Sequence, residues 1–99
     1  MTALKALPHS HWFRIEQQAI SGTPDCLGVI RGTFVAIEFK ASRNSRVTPL
    51  QKYSLSRVAS SDGVALVIFP ENWDQYYQVL ENFADTGNMD TTYVPREFH

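Results

Sequence analysis

Two carboxylates and a lysine lie close together along this chain. Asp25 ends Gly22-Thr23-Pro24-Asp25, and Glu38 and Lys40 fall within Ala36-Ile37-Glu38-Phe39-Lys40. Carboxylates held side by side repel unless they share a proton or a cation. A carboxylate pair completed by waters suits Mg²⁺. A metal held there lowers the pKa of an attacking water and polarises a phosphoryl oxygen, which is the chemistry of phosphodiester hydrolysis. In that scheme Lys40 orients the water or meets the charge that develops on the phosphate. The plain alternative is an ordinary surface Glu-x-Lys beside an unrelated aspartate, because Glu-x-Lys alone is a weak signal.

The elements that must position these groups can be read from local pattern. Residues 26–30 and 33–40 alternate as strands around Arg31-Gly32, a hairpin signal. If those two residues are the loop, Ile30 faces Thr33, and the same register carried outward sets Asp25 opposite Glu38. Opposed Cβ atoms lie ~4.5–5.5 Å apart in such a pair. Lys40, two residues beyond Glu38, shares its face, while Val35, Ile37 and Phe39 take the other and can pack on a helix. The backbone carbonyl of Phe39, between the two site side chains, is a further candidate metal ligand. Cys26 falls on the face away from Asp25 and reads as a small buried apolar residue rather than a nucleophile.

Around this hairpin the chain predicts a short helix over 2–8, a strand over 11–18 and a polar loop over 41–47. A helix starts at Thr48, with Pro49 at its first position and Gln51 three residues after the cap, and runs to about Ser60. Val64 to Phe69 is a continuous apolar run, a strand buried on both faces. A last helix spans about 71–85, with Trp73, Tyr76, Leu80 and Phe83 at helical spacing, and a polar tail covers 86–99. The order α-β-β-β-α-β-α predicts one α/β domain over 1–99, a mixed β-sheet flanked by helices.

Taken together, Gly22-Thr23-Pro24-Asp25, Gly28, Gly32-x-Phe34, Glu38-Phe39-Lys40 and Thr48-Pro49-Leu50-Gln51 resemble the PD-(D/E)xK nuclease superfamily, most closely its VRR-NUC (virus-type replication-repair nuclease) branch. The match covers residues 22–69, about half of the chain. The resemblance implies a restriction-endonuclease-like fold and Mg²⁺- or Mn²⁺-dependent DNA endonuclease activity, with Asp25, Glu38 and Lys40 as the core and Gln51 as an associated site residue. It implies structure-selective cutting of Holliday-junction or other branched DNA by a homodimer, as in small stand-alone phage or bacterial members. One departure stands out. Many members carry a glutamate on the first helix, whereas residues 1–10 hold no acid and Glu16, on the expected first strand, is the sole upstream carboxylate. Glu16 is therefore a weak candidate for an additional metal ligand.

Charge supports the same reading. Residues 1–57 carry eight Lys and Arg against three acids, and residues 58–99 carry one against seven, so a near-neutral chain hides a basic half suited to a polyanion. Chance clustering in a small protein is the alternative. Arg43, Arg46, Lys52 and Arg57 are candidate DNA contacts, with Tyr53 beside Arg57 on the outward helix face. Gln51 serves either as the partner of Thr48 in a capping box or as a site residue. Trp12 and Tyr77 are candidates for a dimer contact, and a metal role for His9 and His11 is disfavoured because surface histidines are common. The single cysteine excludes an internal disulfide, and no apolar run approaches the ~18 residues of a membrane span. The expectation is a cytoplasmic protein. The competing readings are a nuclease of unstructured or single-stranded DNA, a non-catalytic nucleic-acid-binding protein, and a structural domain held through its aromatic last helix.

Overall fold

A computed structural model describes residues 2–15 and 22–88. Glu16, residues 16–18 of the expected first strand and the tail from residue 89 lie outside the described residues. The elements follow the expected order: α1 (Thr2–Lys5), β1 (Ser10–Arg14), β2 (Cys26–Ile30), β3 (Thr33–Phe39), α2 (Pro49–Ser60), β4 (Val64–Ile68), a 3-10 turn (Pro70–Asn72) and α3 (Trp73–Thr86).

The four strands form one sheet in the order β1-β2-β3-β4. β1, β2 and β3 pair antiparallel, and β4 joins β3 in parallel after crossing over through α2. The domain is a small α/β unit with a mixed sheet and helices on both faces. The β2–β3 turn is built as the sequence requires. Ile30 pairs with Thr33, and Arg31 and Gly32 both take positive φ, 48° and 81°, which a two-residue turn of this hand demands. The Arg31 guanidinium then reaches across to α3, donating from Nε to the Ala84 carbonyl (2.8 Å) and from Nη2 to that of Asp85 (3.1 Å). That spends one of the basic half's charges on capping a helix.

Alternation along β3 divides the core. Val35 and Ile37 join Trp12, Cys26, Ile30, Leu66 and Ile68 beneath α1 and α3, where Leu4, Tyr76, Leu80 and Phe83 close the layer. Ala36 points to the other face, where Ala65 and Val67 meet Leu55 and Ala59 of α2. The small side chains of Ala36 and Ala65 let α2 sit close to β3 and β4, and this brings its first turn over the end of β3. Trp12 and Tyr77 are not surface aromatics. Trp12 is buried against Gly28, and Tyr77 packs against the core with its hydroxyl donating to the Ala3 carbonyl (3.2 Å). No helix among the described residues is long and apolar enough to cross a membrane.

Candidate active site

Among the described residues Glu38 is the one charged residue in the buried set, 4% exposed, held on the face that α2 covers. Burial is costly for a carboxylate unless it finds partners, and its Oε1 has them. Gln51 donates from Nε2 to Oε1 at 3.0 Å, and Lys40 Nζ lies 3.6 Å from the same oxygen. Lys40 also donates to Gln51 Oε1 at 3.0 Å, so the three side chains close a ring. Glu38 Oε2 is buried without a hydrogen-bond partner.

Asp25 stands just before β2. The β2–β3 register, Cys26 with Ile37, carries outward to Asp25 opposite Glu38, as the hairpin predicts. The carboxylate is anchored there: its Oδ2 accepts from the Phe39 amide at 2.9 Å. Burial, and then the charge of Asp25, push the Glu38 carboxyl above its ordinary value, with Lys40 pulling the other way. The arrangement thus presses two negative charges together at the end of the sheet.

The peptide geometry adds a third oxygen. The Lys40 amide donates to the Ile68 carbonyl (2.8 Å), so it points towards β4. In a trans peptide the preceding carbonyl points the opposite way. The Phe39 carbonyl therefore faces the side of the strand that holds Asp25. Two carboxylates, one of them with an unpartnered oxygen, and one backbone carbonyl are a donor set that a hard divalent cation with several waters fits. Among the described residues no group of three or more His, Cys, Asp and Glu side chains gathers, so the set rests on the backbone as well as on side chains.

Gln51 does both of its expected jobs at once. Its Oε1 accepts from the Thr48 amide (2.9 Å) and its amide donates to Thr48 Oγ1 (3.2 Å), a complete capping box. The same side chain bridges Lys40 and Glu38. The cap thereby fixes the rotamer that reaches the site. Thr48→Ala, which removes only the cap, is expected to cost about 1 kcal/mol of stability. Gln51→Ala is expected to cost a similar amount and, if the site holds a metal ion and cleaves phosphodiesters as the sequence reading expects, also to lower that cleavage by about 10–100-fold, the usual range for a residue that orients a metal ligand. Chemical denaturation and cleavage rates on the two variants check this; equal cleavage rates in the two would reduce Gln51 to a cap.

Of the expected phosphate-binding residues, Arg43, Arg46 and Lys52 are exposed on the loop and first turn that follow β3. Arg43 is partly engaged with Glu71, its Nε 3.7 Å from Oε2. Arg57 sits towards the far end of α2, lining a cleft of about 410 Å³ with Phe34, Val58, Ser61 and Gly63, away from the carboxylates. The sequence reading missed a second, aromatic cleft at the carboxyl edge of β3 and β4, lined by Phe39, Lys40, Ile68, Phe69, Pro70 and Trp73. Aromatic residues at the ends of two strands and the start of the next helix were its only signal. No protein-family model, curated protein or solved structure matches the chain.

Proposed function

We propose that this chain is a Mg²⁺- or Mn²⁺-dependent DNA endonuclease of the PD-(D/E)xK type, of the VRR-NUC branch with its restriction-endonuclease-like fold. The observation that carries the reading is the junction of Asp25, Glu38, Lys40 and Gln51 at one end of the sheet, with a buried Glu38 oxygen that has no partner. An acidic pair pressed together in an otherwise basic half of the chain is costly for folding alone and useful for holding a cation.

Asp25, Glu38 and the Phe39 carbonyl would hold the ion. Once bound, it supplies a lowered water pKa and charge neutralisation at the phosphoryl oxygens. The Phe39 amide fixes the Asp25 carboxylate, and Gln51 fixes that of Glu38. Lys40, held by Gln51, presents its ammonium to the phosphate and takes up charge as it develops. Arg43, Arg46 and Lys52 flank the site where neighbouring phosphates would lie, and fix register rather than sequence. Selectivity falls on DNA structure, such as branched or junction DNA, as the family resemblance implies. A homodimer acting in the cytoplasm would present two such sites to the two strands of a junction.

The test is a panel of labelled four-way junction, flap, single-stranded and linear duplex DNA, incubated with wild type in Mg²⁺, Mn²⁺ or EDTA. Metal-dependent cleavage of at least one substrate is expected, with none in EDTA. Binding without cleavage of any member, in either metal, would leave a nucleic-acid-binding protein and overturn the enzyme.

A further inference from the structure

The aromatic cleft beside Lys40 is unexplained by the hydrolytic site. It has a volume of about 310 Å³, within the ~300–1,000 Å³ of small-ligand sites. It opens at the carboxyl ends of the two parallel strands β3 and β4, where ligands of α/β sheets gather. It is lined by Phe39, Phe69, Pro70 and Trp73 at the sheet end, with Phe39 and Trp73 packed on the α1/α3 core and Phe69 on the α2 core, and Lys40 belongs both to it and to the carboxylate cluster. Trp73 is braced from behind. The Tyr77 ring lies 5.2 Å from it, and the Tyr77 hydroxyl is tied to the Ala3 carbonyl. Asn72 holds the corner between β4 and α3, accepting from the Phe69 amide (2.9 Å) and donating to the Val67 carbonyl (3.2 Å). The cleft is thus a preorganised stacking surface beside a cation.

We propose that this cleft receives one unpaired nucleobase adjoining the scissile phosphate, so that the enzyme acts on single-stranded or unpaired nucleotides within a branched substrate. The inference rests on the nuclease reading above and names the substrate class of that same site. A base in a duplex is stacked on both faces and paired along one edge and cannot enter; one in a flap, gap or loop can. Among the described lining residues Lys40 alone has a charged side chain, and none carries a side-chain acceptor to read a base edge. The cleft therefore takes any base through its π face. Lys40 argues for this occupant: it lines the cleft and also pairs with Glu38, so a strand with a base in the cleft runs beside the proposed hydrolytic site.

The test is binding of an end-labelled oligothymidylate in EDTA, so that cleavage is not required. Each position in turn is replaced by an abasic nucleotide. With wild type, one replacement is expected to weaken binding about tenfold, which is ~1.4 kcal/mol and within the ~1–3 kcal/mol of a base stacked on an aromatic ring. With Trp73→Leu, and separately Phe69→Leu, the ratio of intact to abasic affinity is expected to fall towards one. Circular dichroism checks that each variant folds, and the wild-type series decides alone if neither does. Affinities unchanged at every abasic position, or a ratio that persists in both variants, overturn the proposal. Failure of wild type to cleave in Mg²⁺ or Mn²⁺ would overturn the nuclease and leave this binding result standing, so the two failures are distinct.

Discussion

Glu38→Gln is expected to abolish cleavage while making the metal-free protein harder to melt. The two effects have one cause. In the folded state the Glu38 carboxyl sits buried, beside Asp25, with one oxygen unpartnered, and it is raised above its ordinary value because burial and Asp25 outweigh Lys40. Its ionised form is therefore less favourable folded than unfolded, and folding carries that penalty at neutral pH. Glutamine has the same shape without the charge. The gain in EDTA should be on the order of 1 kcal/mol, the low end of the ~1–3 kcal/mol cost of an unsatisfied buried polar group. Millimolar Mg²⁺ should reverse the order. Binding stabilises the native state by ~2.7 kcal/mol when the ion stands at a hundred times its Kd, and only wild type can gain it fully. Loss of a metal ligand removes several kcal/mol of transition-state stabilisation, so cleavage should fall about 10³-fold or more. Asp25→Asn should lose cleavage equally, but gain less in EDTA, since the Asp25 carboxylate already accepts a hydrogen bond from the Phe39 amide. Thermal melts of the three proteins in EDTA and in Mg²⁺ check the crossover. Melting order that is unchanged by Mg²⁺ would remove the metal from this site.

The parts of this site that were legible in the sequence are those set by neighbours along the chain. Arg31-Gly32 fixed the hairpin because only a short turn with two positive φ values fits there, and the register then carried Asp25 to the end of β3 opposite Glu38. Thr48, Pro49 and Gln51 announced a helix start, and the structure builds the full capping box. Less legible was what depends on contacts between distant elements. The double duty of Gln51 needs α2 to lie close to β3, which follows from two alanines, Ala36 and Ala65, that no periodicity singles out. The last helix was expected from residue 71, but Pro70–Asn72 forms a 3-10 turn and α3 starts at Trp73. That offset turns Trp73 towards the strand ends and makes one wall of the aromatic cleft. Trp12 was read as a surface aromatic because its partner, Gly28, is remote in sequence and lacks a side chain, and Arg31 was read only as part of the turn because the α3 carbonyls it meets are remote in sequence.

Gly28→Ala is expected to be among the most destabilising single substitutions in the protein, although it adds only a methyl group and touches no site residue. Gly28 lies in the middle of β2, paired with Trp12 on one side and Val35 on the other. Its φ is ordinary, so backbone strain is not the reason. A Cβ there would stand 2.3 Å from Trp12 Cε3 and 2.6 Å from Cδ2, inside the indole rather than at its edge. The ring cannot swing aside cheaply, because it is buried at 5% exposure and its Nε1 donates to Ser10 Oγ (3.0 Å), which in turn donates to the Leu7 carbonyl (2.7 Å). Displacing it unties α1 from the sheet. Overpacking a core costs ~1–3 kcal/mol, and losing a buried Trp altogether costs ~3–5 kcal/mol. The variant should fall at about 3 kcal/mol, between these limits, with a red shift in tryptophan emission as the indole meets water. A second substitution separates the clash from other causes. Trp12→Leu alone should destabilise, but Gly28→Ala added to it should cost well under 1 kcal/mol, since the atoms it would strike are gone. Additive losses in the double variant would mean that Gly28 is required for some reason other than the indole lying across it.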